Sequence, residues 1–170
     1  KKIARQNLKT NNPSQQQLSS LLDYYQNGLF NDAEKLAITI SKNFPNHPFS
    51  WKVLGAVFEK TGRKSEAVDA NQTAVILSPQ DAASHYNLGN PLKELERLDE
   101  ALACYTQAIA LNPDFAQAHY NLGNTLKKLE RLDEALSSYT KVSALKPDFA
   151  ETHYNLGNTL KKLGRVDEAL

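Results

Sequence analysis

The chain has 170 residues, 41% of them hydrophobic and 23% charged, and its 20 basic and 19 acidic side chains leave a formal net charge of +1. Such a composition is globular, and its near-neutral balance excludes the basic field of a protein built to hold nucleic acid. The single cysteine, Cys104, excludes an intramolecular disulfide, so packing alone must hold the fold, as is usual in a reducing, cytoplasmic setting.

Residues 1–13, KKIARQNLKTNNP, read as a basic and polar N-terminal extension without the apolar centre of a signal peptide. No later run reaches the roughly 18 apolar residues that span a bilayer, so this segment is expected to be soluble and without a membrane partner, and anchoring of a longer parent chain is left open. Beyond this extension the chain repeats itself. Pro45, Pro79, Pro113 and Pro147 stand 34 residues apart, and the same interval links Ala33, Ala67, Ala101, Ala135 and Ala169. It also links Leu54-Gly55, Leu88-Gly89, Leu122-Gly123 and Leu156-Gly157. Three residue types in one phase divide the chain into units 14–47, 48–81, 82–115, 116–149 and a shorter 150–170, which breaks off in mid-pattern at GRVDEAL and reads as the end of a fragment.

Within a unit, Leu122, Leu126 and Leu129 mark one helix face, and Leu132, Leu136 and Tyr139 mark a second helix after a short break. Each unit is therefore expected to be a helical hairpin. Asp114 and Asp148, followed three residues later by Gln117 and Glu151, fit capping boxes at the start of first helices. Gly28, Gly62 and Gly164 supply the break inside a pair, and the small residues Gly123 and Ala135 let two backbones approach closely.

Leu88-Gly89, Ala101, Tyr105, Ala108 and Pro113 carry the spacing of the tetratricopeptide repeat, and Trp51 opens the corresponding run one unit earlier. The chain resembles that family over about residues 14–170. The resemblance implies an all-α, right-handed superhelical solenoid of helix-turn-helix repeats whose first helices line a concave groove. It also implies a non-enzymatic scaffold for protein–protein interaction, with no cofactor. The first unit departs from the pattern, with Ser20-Leu21 for Leu-Gly and Ala37 for the aromatic, and reads as a capping repeat. In the last unit Leu156, Leu160 and Leu163 are expected to lack their cover, which predicts head-to-tail self-association through that end. The run LKPDFAETHYNLGNTLKKLG is also similar to the repeat arm of O-linked N-acetylglucosamine transferases, which implies an alternative role as the substrate-recruiting arm of a larger enzyme.

Two local conflicts stand out. Pro91 occupies the place of Thr125 and Thr159 inside a first helix and removes the N–H that would bond the carbonyl of Asn87, at a cost of roughly 3 kcal/mol. A kinked helix steadied by its stacked neighbours is expected. Glu96 and Glu130 replace the turn glycine, each beside an arginine, Arg97 or Arg131, and should be strained there.

Chemistry is sparse. His85, His119 and His153 repeat with the units, but adjacent layers lie roughly 10 Å apart, too far for one metal ion, and they take the place of Trp51, so a packing role is expected. Cys104 has no base at recognisable spacing, and the acid pairs Asp99-Glu100, Asp133-Glu134 and Asp167-Glu168 sit at helix starts rather than facing one another. The pattern that invites a binding role is a ladder along three first helices: Asn87 and Asn90, Asn121 and Asn124, Asn155 and Asn158, with Tyr86, Tyr120 and Tyr154. Amides that donate and accept can grip an extended peptide without demanding one sequence, and tyrosines add apolar contact. The same asparagines could instead hold neighbouring repeats in register. Lys93, Lys127 and Lys161, joined by Lys128 and Lys162, favour a peptide or protein partner of acidic character.

Overall fold

The structure, a computed structural model of the chain, describes residues 12–165. Those residues form helices and their connections, with no strand among them. The order is α1 (Gln15–Gln26), α2 (Phe30–Asn43), α3 (Pro48–Lys60), α4 (Lys64–Leu77), α5 (Ala82–Glu94), α6 (Leu98–Leu111), α7 (Ala116–Lys128), α8 (Leu132–Leu145) and α9 (Ala150–Lys162). The odd-numbered helices from α3 onward are all 13 residues long and start 34 residues apart, so every side chain of one has a counterpart at the same height in the next. The result is an all-α solenoid of helix-turn-helix units.

Each pair is held where its two helices cross. Ala33, Ala67, Ala101 and Ala135 are fully buried on the second helices, since only a methyl group fits between the backbones there. Above them Tyr105 and Tyr139, also fully buried, lay their rings against Gly89 and Gly123 of the first helix. Between pairs, the first helices touch one another, α1 with α3, α3 with α5 and α5 with α7, whereas the second helices make no comparable contact. A stack that packs more closely along one side curves toward it, so the first helices form the inner surface.

The turns within pairs require a left-handed residue. Gly28, Gly62 and Gly164 adopt φ of 73°, 77° and 72°, and Glu96 and Glu130 are forced to 58° and 56°, the strained conformation that their place in the pattern predicts. Their expected neighbours are not their partners. Arg97 and Arg131 turn to Glu100 and Glu134, while Glu96 accepts from Lys128 Nζ at 2.6 Å and Glu130 from Lys162 Nζ at 3.4 Å, each one unit further on. The strained turn residues thus reach along the stack.

The expected capping boxes are absent. Helices α7 and α9 are preceded by Phe115 and Phe149, which provide no side-chain cap, because those phenylalanines are drawn under Tyr86 and Tyr120 and leave the aspartates one residue too early. Asp114 instead accepts from Lys141 at 3.1 Å. A capping box does form at Ser14 with Gln17, and Asp81 caps α5. Leu160 also departs from expectation: it is buried, with Leu156 and Leu163 half-buried, and the large apolar side chain left bare on α9 is Tyr154, 72% exposed.

Pro91 is fully buried within α5, which continues unbroken from Ala82 to Glu94. The carbonyl that it deprives of an N–H is not stranded. Asn71 Nδ2 of α4, itself buried, donates to Asn87 O at 3.0 Å. Asn71 stands where Tyr105 and Tyr139 stand in the next units, so two departures from the repeat, in neighbouring units, compensate each other.

Candidate functional site

The asparagine ladder lies on the inner helices, where most of its members bond to one another across repeats. Asn90 Oδ1 accepts from Tyr105 Oη and from Asn121 Nδ2, both at 3.0 Å. Asn121 in turn donates to Tyr86 Oη at 3.3 Å and accepts from Lys93 Nζ at 3.0 Å. One unit later the lattice recurs. Asn124 Oδ1 accepts from Tyr139 Oη at 2.7 Å and from Asn155 Nδ2 at 3.5 Å, and Asn155 donates to Tyr120 Oη at 3.1 Å and accepts from Lys127 Nζ at 2.8 Å. These bonds tie α5 to α7 and α7 to α9 and fix their register, the structural alternative that the sequence leaves open.

The tyrosine row is enclosed in part. Tyr86 packs on Phe115 with ring centroids 4.9 Å apart and on Tyr105 at 6.0 Å; Tyr120 repeats this with Phe149 and Tyr139. Both are half-buried, whereas Tyr154 is open. Burial, opposed by Glu94 and aided by Lys128, holds the Lys93 ammonium below its ordinary pKa. Lys127, Asn158, Lys161 and Lys162 line an open cleft of about 480 Å³. Another cleft, about 590 Å³, lies between the start of α7 and the 145–149 loop and includes no residue of the ladder.

Asn87 and Asn158 are the ladder members whose side chains make no hydrogen bond among the described residues. Asn87 is half-buried at the helix position of Asn121 and Asn155, and the residue in register with the lysines that bond those two is Glu59, which the sequence pattern did not single out. Burial, then the charge of Glu94, raises the pKa of Glu59, with Lys60 and Lys93 opposing. A carboxyl whose folded-state pKa lies above its unfolded value contributes nothing below pH 4.5, where both states are protonated, and opposes folding as pH rises through the raised value. Glu59→Gln is therefore expected to raise stability at neutral pH and to leave it unchanged in the acid range, checked by urea unfolding across pH; a gain equal at both ends would remove burial of the charge as the cause.

The remaining candidates are structural. Nε2 of His85, His119 and His153 bonds the carbonyls of Pro79, Pro113 and Pro147 at 2.9, 2.9 and 2.6 Å, the same bond that Trp51 Nε1 makes to Pro45 O at 2.9 Å. Since a carbonyl only accepts, each histidine carries its proton on Nε2. Cys104 is half-buried, and burial pushes its thiol up to about 11, which suits a packing residue rather than a nucleophile. Among the described residues no cluster of His, Cys, Asp and Glu could hold a metal ion, and no helix is long and apolar enough to cross a membrane.

Hairpins stacked at a 34-residue period, with polar rows on the inner helices, define a helical-repeat solenoid. A family model described as TPR repeat matches residues 89–130 and 123–164, and one described as Tetratricopeptide repeat matches residues 20–82. The chain belongs to the tetratricopeptide-repeat family. Among solved structures, MamA superposes with a TM-score of 0.82 at 26% identity over 86% of each chain. MamA 41-end from Desulfovibrio magneticus RS-1 gives 0.80 at 20% identity, over 90% of this chain and 89% of that one. YrrB, described as a TPR protein with an unusual peptide-binding site, gives 0.81 at 23% identity, over 93% of this chain and 81% of that one. No curated protein sequence matches the chain.

Proposed function

We propose that the protein is a non-catalytic, cytoplasmic interaction scaffold that holds an extended segment of another protein along its inner surface. The residues in contact would be Tyr86, Asn87, Asn90 and Lys93, Tyr120, Asn121, Asn124 and Lys127, and Tyr154, Asn155, Asn158 and Lys161. The observation that carries this reading is the packing of first helix on first helix, which aligns these polar rows on one continuous face. Repetition lets weak contacts sum along such a face. The peptide-binding site ascribed to YrrB, which shares the fold, supports it.

The lattice narrows how the ladder can act. Bonded asparagines shape and stiffen the floor, leaving Asn87, Asn158 and the remaining donors of the lysines for a ligand. The test is selection from a random-peptide library, followed by affinity measurement on variants. Lys127→Ala with Asn158→Ala is expected to weaken a selected peptide at least about tenfold, while Ile76→Ala, on the exposed side of α4, leaves it unchanged. Equal effects from the two faces would overturn the proposal.

A second reading, the recruiting arm of a larger glycosyltransferase, is favoured only by the asparagine rows, and an adjoining catalytic domain in the gene would decide for it. Self-association is expected through Tyr154, 72% exposed on α9, where the equivalent Tyr86 and Tyr120 are covered by phenylalanine rings. Sedimentation of the 170-residue polypeptide should depend on concentration and lose that dependence in Tyr154→Ser; monomeric behaviour throughout would count against it.

A further inference from the structure

The inter-repeat lattice is missing between the second and third helix pairs. Glu59 is the twelfth residue of α3, as Lys93, Lys127 and Lys161 are of their helices. Lys93 and Lys127 each donate to an asparagine on the next inner helix, Asn121 or Asn155. The equivalent pair, Glu59 and Asn87, shares no such bond, and neither side chain has a hydrogen bond or ion pair among the described residues. Of the charges that act on Glu59, Glu94 is engaged by Lys64 at 3.0 Å and Lys93 by Asn121, while the adjacent Lys60 makes no bond to it. A half-buried carboxylate without a partner is costly, and a cation brought by a ligand removes that cost.

We propose that Glu59 and Asn87 form a subsite for a basic side chain of the bound segment, and that Lys127 takes an acidic side chain of the same segment. The proposal rests on the groove reading above and sharpens it: the partner is bipolar in charge rather than uniformly acidic. Adjacent layers are separated by roughly 10 Å, so two layers part Glu59 from Lys127 by about 20 Å. An extended chain advances about 3.3 Å per residue, which places the basic and acidic residues about six apart. Such a segment lies in one direction only, because reversal sets acid against Glu59 and base against Lys127.

Random-peptide selection on the protein and on Glu59→Lys tests this. The variant carries the residue of the sister units in that row, and circular dichroism is expected to show the fold kept. Peptides selected on the parent are expected to carry Lys or Arg about six residues from Asp or Glu and to lose at least about tenfold in affinity on Glu59→Lys, less in high salt. Replacing the basic residue of such a peptide by Glu should restore its binding to Glu59→Lys. Peptides that depend on Lys127 and Asn158 but carry no basic residue, or ignore Glu59→Lys, would overturn the bipolar subsite and leave the groove standing. Failure to select any peptide that depends on Lys127 and Asn158 would overturn both.

Discussion

Gly123→Ala is expected to lower stability by about 1–3 kcal/mol, seen as an earlier urea midpoint at an unchanged slope. A Cβ at Gly123 would stand 2.7 Å from Cε1 of Tyr139 and 2.9 Å from Cδ1, closer than carbon atoms approach. The ring has no room to yield. It is fully buried, and its hydroxyl is tied to Asn124 at 2.7 Å, so a shift would break the lattice as well. Gly157 is the counterpart in α9, and a Cβ there meets nothing within 4 Å. Gly157→Ala should be neutral or stabilising by up to about 1 kcal/mol through helix propensity alone. Equal effects at the two glycines would show that ring contact is not what selects glycine at Gly123.

The second large effect is a coupling. Asn71→Ala should cost about 2 kcal/mol, by stranding the carbonyl of Asn87 and leaving a small void. In a Pro91→Thr background the same change should cost about 1 kcal/mol less, because the threonine N–H returns to that carbonyl. Pro91→Thr alone should still raise the melting temperature, but by less than the roughly 3 kcal/mol of an uncompensated proline implies. Strict additivity in this cycle would mean that Asn71 does not serve the proline.

The period and the helix pairs were legible because Pro, Ala and Leu-Gly each answer a local demand: a stop, a crossing, a face. Pairings between layers were not. Lys93 with Asn121, Asn90 with Asn121 and Tyr86 with Asn121 join residues 28, 31 and 35 apart, and such partners emerge only when one hairpin is set on the next. The caps failed for a related reason, since the pull of Tyr86 on Phe115 and of Tyr120 on Phe149 outweighs the bond an aspartate could offer. Glu59 is hidden in the sequence because Trp51, Leu54-Gly55 and Ala67 carry the phase of its unit and the polar row does not. Against Lys93, Lys127 and Lys161 it stands as a change of sign in one row.

The second and third hairpins meet in a different language from the later ones. Where Tyr86 stacks on Phe115 and Tyr120 on Phe149, the counterparts are Lys52 and Asp81, joined at 3.0 Å. Burial works to raise the pKa of Asp81, but hydrogen bonds from Ser84 and Lys52 outweigh it and keep the carboxylate ionised. Together with the Asn71 and Pro91 exchange, this makes the joint a keyed one. A hairpin copied from 116–149 and spliced in after residue 149 would find every partner waiting, so the array can lengthen there by whole units. Spliced in after residue 81, the same copy would offer Asn71 a carbonyl already served by a helix N–H, take Ser84 away from Asp81, and set a tyrosine in the place of Asn71 before Pro91. Growth by duplication is thus open toward one end of the solenoid and barred at its keyed joint, which holds Glu59 at a fixed place in whatever number of layers follows.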